Sequence, residues 1–148
     1  EAGAVVLMHK RGTPPTMQQN VPQYRNVVTE VRDYLEARAA YALNCGIAHE
    51  RIIIDYGIGF GKTAEDNYRL VAASKYFTGL EYPLLAGLSR KSFIGFVTGE
   101  PPEKRLAGTL AATMYAVQQG ASIVRAHDVA ETQELLLVLK ELQKYGTT

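Results

Sequence analysis

Four short apolar runs constrain this chain more than any other feature. They occupy residues 4–8, 51–55, 83–88 and 122–126. Each is too short for a helix and lacks clean polar alternation, which suits strands buried on both faces of a parallel sheet. Helical patterns separate them, over 24–44, 65–76, 104–119 and 131–145. In the first, Val28, Val31, Leu35, Ala39 and Ala42 recur at helical spacing. Gly46, Gly79 and Gly120 follow three of these segments, where a helix-ending glycine is expected. The order is therefore β-α-β-α-β-α-β-α, an α/β arrangement with a parallel sheet. Four such units make either a small open α/β domain or half of an eightfold barrel, since a complete barrel takes about 250 residues. Gly3 stands before the first strand as Gly120 stands before the last. It reads as the end of a helix whose body is absent, so the chain is expected to begin inside a larger unit.

With 148 residues, 47% of them apolar, one packed core is within reach. The formal charge is +1, so no basic excess points to nucleic acid or a membrane surface. No apolar run approaches the roughly 20 residues of a membrane span, and Glu1 to Ala4 carry no signal-peptide pattern. Cys45 is the only cysteine, which excludes an internal disulfide and favours a reducing, cytoplasmic location.

Ligands of parallel α/β folds sit beyond the C-terminal ends of the strands. The polar residues of this chain gather there. Asp55 ends an apolar strand, where a carboxylate costs energy unless paired or hydrogen-bonded. It is either a capping or salt-bridged residue or a bidentate acceptor for a planar heterocycle with adjacent N–H donors. Gly57, Gly59 and Gly61 then alternate along a loop that a ligand can approach closely. Gly61-Lys62-Thr63 imitates the end of a phosphate loop, but Gly57 is one residue out of place, so a nucleotide P-loop is rejected. Ser89-Arg90-Lys91-Ser92 sets two hydroxyls and two cations where a helix could start. That suits phosphate or carboxylate, and equally a solvated basic turn with a serine cap. Arg125 and His127, two apart on a strand, point the same way, as ligands of one anion or as a structural ion-pair cluster. His9 alone reads as structural, and His49 lies at the wrong end of a strand. No metal cluster has ligand spacing. One carboxylate, several cations and glycine loops together suit a planar polar ring carrying phosphates.

Three of these segments together resemble the dihydropteroate synthase family: Asp55-Tyr56-Gly57-Ile58-Gly59-Phe60-Gly61-Lys62, Gly87-Leu88-Ser89-Arg90-Lys91-Ser92-Phe93-Ile94-Gly95 and Arg125-Ala126-His127-Asp128-Val129. Leu7-Met8-His9 and Thr16-Met17-Gln18 fit the same pattern, while Tyr56 departs from it where the family commonly has proline. The resemblance covers essentially the whole chain. It implies a (β/α)8 TIM barrel, with residues 1–148 supplying about the last four βα units, the C-terminal half of a pterin-binding domain. It implies condensation of dihydropterin-methyl pyrophosphate with p-aminobenzoate, releasing pyrophosphate, with sulfonamides as p-aminobenzoate mimics. Met8, Asp55, Gly87, Lys91 and Arg125 would bind the pterin. Phe60, Lys62, Arg90 and Ser92 would face p-aminobenzoate. Arg125 and His127 would hold the pyrophosphate, and Lys91, Arg125 and His127 form the catalytic set. Mg²⁺ would assist the leaving pyrophosphate, held mainly by phosphate oxygens. The missing N-terminal half and a second subunit, giving a homodimer, are the implied partners, and the fragment alone is expected to be inactive. Two alternatives remain: a pterin-dependent methyltransferase barrel, against which Ser89-Arg90-Lys91-Ser92 argues, and a non-catalytic half-barrel assembly module.

Overall fold

The computed structural model describes residues 3–12 and 23–146, so Thr16-Met17-Gln18 lies outside the described residues. Ten main elements follow in order: β1 (Val5–Met8), α1 (Val27–Asn44), β2 (Ile52–Asp55), α2 (Ala64–Ala72), α3 (Ser74–Thr78), β3 (Leu84–Ala86), α4 (Ser92–Thr98), α5 (Leu106–Gln118), β4 (Ile123–Val124) and α6 (Val129–Tyr145). The four strands form one parallel sheet in the order β1-β2-β3-β4. Each strand lies beside the next in sequence, with no reversal of order. That is an arc of a barrel rather than a doubly wound sheet, whose strand order switches direction.

Register fixes which side chains face which layer. Leu7 pairs with Ile54, Ile54 with Leu84, and Ala86 with Val124, so these share one face. Ile54, Leu84 and Ala86 are buried there in a cluster with Val31 and Leu35 of α1, Leu70 of α2, and Phe93 and Ile94 of α4. A smaller cluster joins Ile52 and Leu7 to Ala39 and Ala42 of α1. The other face carries Val6, Met8, Ile53, Asp55, Leu85, Ile123 and, past the strand end, Arg125. The central strands are buried as expected, whereas β1 and β4 are only partly covered, Val6 being 49% exposed.

Three expectations need correction. The single helix over 65–76 is two helices parted at Ala73, because Ser74 Oγ donates to the Val71 carbonyl at 2.8 Å and competes with the helical ladder. Gly79 does not supply a left-handed helix end. It stays right-handed at φ −66°, and Glu81 takes the positive φ of 62° two residues later. The helix after β3 is not the one over 104–119. The seven-residue α4 precedes it, stopped by Gly99 at φ 72°.

Candidate active site

The residues singled out above now occupy definite places at the C-terminal end of the sheet. Asp55 closes β2 and is only 2% exposed. The Gly57 N–H donates to Asp55 Oδ1 at 2.7 Å, while Oδ2 lies 3.7 Å from Arg125 Nη2. Burial pushes the Asp55 carboxyl above its ordinary range, and the Gly57 N–H, Arg125, Lys62 and Lys91 pull against that rise. A desolvated carboxylate with one oxygen loosely engaged is a strong acceptor awaiting a donor.

The loop after β2 takes its shape from close backbone approach. At Gly57, φ is +67° and a Cβ would lie 1.8 Å from the His9 carbonyl oxygen. Only glycine fits there. Asn67, buried on α2, accepts from the Gly59 N–H at 2.8 Å and donates to the Thr63 carbonyl at 2.8 Å. Thr63 and Asp66 cap α2 reciprocally. The loop thus presents Phe60, whose ring centroid lies 4.5 Å from Lys91 Nζ. Burial, and then Arg125, lower the Lys91 ammonium, with Asp55 opposing.

Phe60, Gly87, Ser89, Lys91, Arg125 and His127, with Ala126, line one cavity of about 280 Å³. Gly87 makes room for Arg125, since a Cβ there would meet Nη2 at 2.8 Å. Ser89 Oγ accepts from the His127 N–H at 3.2 Å and bonds His127 Nδ1 at 2.9 Å, which orients the imidazole. Three groups that can carry positive charge, a hydroxyl and an aromatic wall therefore surround a space beside a buried carboxylate. Arg125 and His127 thus share one cavity with Ser89 and Lys91 of the turn after β3.

The remaining candidates stand elsewhere. Met8 ends β1 on the Asp55 face and is not among the cavity walls. Ser92 is exposed as the first residue of α4. The Arg90 guanidinium is bound by both oxygens of Asp128, Nε reaching Oδ2 at 3.1 Å. Its own N–H donates to Thr109 Oγ1 and its carbonyl accepts from Arg105, holding Arg90 at φ +57°. Lys62 is buried and bonded internally. Lys62 thus bonds to backbone and His9, and Arg90 to Asp128. Asp128, Asn67 and Thr109 were not singled out from the sequence, and Ser89 only as one hydroxyl of its basic turn. Ser89 and Asp128 sit inside the singled-out motifs, so position alone could have flagged them. Asn67 and Thr109 lie on helices and left no local signal. His9 is structural, as read, and His49 stacks on Tyr82 at 4.5 Å, far from this chemistry.

Residues 1–127 match the family described as pterin binding enzyme. Dihydropteroate synthase of Haemophilus influenzae is 47% identical over 134 residues, which make 90% of this chain and 48% of that protein. Dihydropteroate synthase of Xanthomonas albilineans, solved with 4-aminobenzoic acid, superposes with a TM-score of 0.87 at 45% identity, over 95% of this chain and 49% of that one. The Yersinia pestis enzyme in a sulfonamide drug complex gives a TM-score of 0.91 at 36% identity, covering 95% and 51%. The chain spans about half the length of the relatives it matches, and its four parallel strands correspond to half of their TIM barrel. Fold, cavity and sequence agree, and the chain belongs to the pterin-binding enzyme family.

Proposed function

We propose that this chain is the C-terminal half of a dihydropteroate synthase, joining dihydropterin-methyl pyrophosphate to p-aminobenzoate. The observation that carries the reading is the single cavity in which Lys91, Arg125 and His127 meet beside buried Asp55. Asp55 accepts the N–H pair on the aminopyrimidine edge of the pterin. Lys91 donates to ring heteroatoms, and the Arg125 plane lies against the ring. Arg125 and His127 take up the charge of pyrophosphate as the C–O bond ionises. The arylamine nitrogen then bonds to the methylene carbon and sheds a proton. Phe60 walls the arylamine side, where sulfonamides would compete. The 4-aminobenzoic acid and sulfonamide drug complexes of the relatives support that substrate side.

Among the described residues no three His, Cys, Asp or Glu side chains gather to hold a metal. The cationic walls suit phosphate oxygens, so Mg²⁺ would be held mainly by the pyrophosphate and would neutralise its charge there. The same reading makes the complete protein a cytoplasmic homodimer. The test is pyrophosphate release by the full-length barrel. Release is expected to match dihydropteroate formed when both the pterin pyrophosphate and p-aminobenzoate are present. No release with both, or release with both that yields no dihydropteroate, overturns the assignment.

A further inference from the structure

Lys62 is a buried lysine that the reaction leaves without a task. It is 7% exposed, and its Nζ faces backbone rather than the cavity. It donates to the Gly57 carbonyl at 2.8 Å and the Phe60 carbonyl at 3.2 Å. It also meets His9 Nδ1 at 3.0 Å and lies 3.4 Å from the His9 carbonyl. Three ammonium N–H groups are thus matched by two loop carbonyls and one imidazole nitrogen. While Lys62 is an ammonium, the ring accepts at Nδ1, and its neutral tautomer is then the one protonated on Nε2.

We propose that Lys62 is a positioning residue: from behind the site it ties the loop after β2 to the end of β1, and through Gly57 and Phe60 it sets Asp55 and the aromatic wall. The connections are short. The Gly57 carbonyl that Lys62 holds belongs to the residue whose N–H fixes Asp55 Oδ1. The same carbonyl accepts from the Phe60 N–H at 3.2 Å, closing the turn that presents the ring to Lys91. The glycines let two backbone segments come close enough to share one ammonium. A Cβ at Gly57 would strike the His9 carbonyl oxygen, and one at Gly61 would reach the Arg11 carbonyl oxygen at 2.3 Å. Carbonyls gathered this closely need a cation at their focus, as buried acceptors left unpaired are costly. Lys62 also places positive charge behind Asp55, where it favours the ionised carboxylate. Burial draws the Lys62 ammonium down to about 7 against the pull of Asp55 and Asp66, so the charge at the carbonyls is lost as pH rises through that value. This replaces the p-aminobenzoate role that the sequence suggested for Lys62.

The inference rests on the proposed pterin site, and its test separates the two. Lys62→Met in the full-length barrel keeps the aliphatic stem and removes every N–H donor. Dihydropterin affinity, read by calorimetry, is expected to fall about tenfold or more. kcat falls with it, and KM for p-aminobenzoate rises alongside, because the Phe60 carbonyl loses the same ammonium. Amide deuterium exchange should quicken over residues 55–62 and not over α5. His9→Phe keeps a ring but loses the Nδ1 acceptor, so it should shift both readouts the same way by less. A rise in the p-aminobenzoate KM alone, with dihydropterin affinity kept, would make Lys62 a direct ligand and overturn the proposal. So would a lower Tm with affinity and loop exchange unchanged, which is what mere scaffolding predicts. If the unsubstituted protein binds no dihydropterin, the proposed activity fails by itself. Exchange then decides the clamp: quickening confined to 55–62 upholds it, and unchanged exchange overturns it.

Discussion

Asp55 concentrates the site's chemistry in one carboxylate. Asp55→Asn keeps its size and exchanges an acceptor oxygen for an NH₂ donor. Losing a buried charged hydrogen bond costs about 2–4 kcal/mol, so dihydropterin affinity measured by calorimetry should drop at least tenfold. Unchanged affinity would remove Asp55 from the site. Arg125 tests planarity instead of charge. Its side chain is 61% exposed and its pairing with Asp55 is loose, at 3.7 Å, so it is open to a ligand. Arg125→Lys retains the charge but loses the fork and the stacking plane. Turnover should fall clearly while the fold, followed by Tm, is kept. His9 sets a pH limit. Burial, with Lys62 and Arg11 nearby, lowers its imidazole from 6.5 to about 3. Between those values the unfolded chain binds a proton that the folded chain refuses. The His9 contribution to stability is therefore fully present above about pH 6.5 and declines as pH falls toward 3. Each unit of that interval is worth about 1.4 kcal/mol. His9→Gln abolishes the titration, so the stability difference between the two proteins, read from urea unfolding, should change across this window and stay flat above it.

Glycine in the loop after β2 separates strain from collision. Gly57 and Gly59 both have positive φ, 67° and 83°. A Cβ at Gly57 strikes a backbone carbonyl at 1.8 Å, whereas one at Gly59 meets only the flexible end of Lys91 at 3.4 Å. Gly59→Ala should then cost about 1–2 kcal/mol from left-handed strain alone. Gly57→Ala should cost more than this and displace His9 as well, a ranking that thermal unfolding of the two variants checks. The alternating glycines were readable in the sequence, as was the need for a close partner. The partner's identity was not, because His9 lies 48 residues upstream and meets Gly57 only through the pairing of β1 with β2. The same distinction holds along the chain. Val31, Leu35, Ala39 and Ala42 line the buried side of α1 as their spacing indicated. The four strands were found as apolar runs, since parallel pairing buries both faces of the central ones. Helix α4 escaped because Ser-Phe-Ile-Gly-Phe-Val-Thr combines aromatic, β-branched and glycine residues of low helix propensity. Packing of Phe93 and Ile94 into the core holds it in place. The partner of Arg90 was hidden for a related reason. The sequence shows a cation in a basic turn, but only folding brings Asp128 beside it, 38 residues away.

Half a barrel has a stability problem that no single residue solves. Among the described residues, β1 pairs only with β2 and β4 only with β3, so the sheet has two edges. A closed barrel has none. The sheet face away from the helices carries Val6, Ile53, Leu85 and Ile123 by register. Val6 is already 49% exposed, and Ile53 and Ile123 are half-buried. Leu7 and Val124 face the helices by the same register. Packing on the helical side is complete at the centre, where Ile52, Ile54, Leu84 and Ala86 are 0–1% exposed. One layer is thus finished and the other open, which is the state expected of a segment spanning about half the length of its relatives. Unpaired parallel edges and a contiguous apolar face both favour association. The 148-residue chain alone should therefore self-associate, and size-exclusion chromatography with light scattering should return a mass above 16.3 kDa. A dye that reports exposed apolar surface should bind it strongly. Supplying the first half of a related barrel as a separate polypeptide should suppress both effects, because paired edges and a covered face remove their cause. A stable monomer with cooperative unfolding and no dye binding would show that the open face is satisfied within the chain, and the half-barrel assignment would have to be given up. Catalysis should follow assembly: pyrophosphate release is expected from the reconstituted halves and not from this chain by itself, since the chain spans about half the length of its relatives.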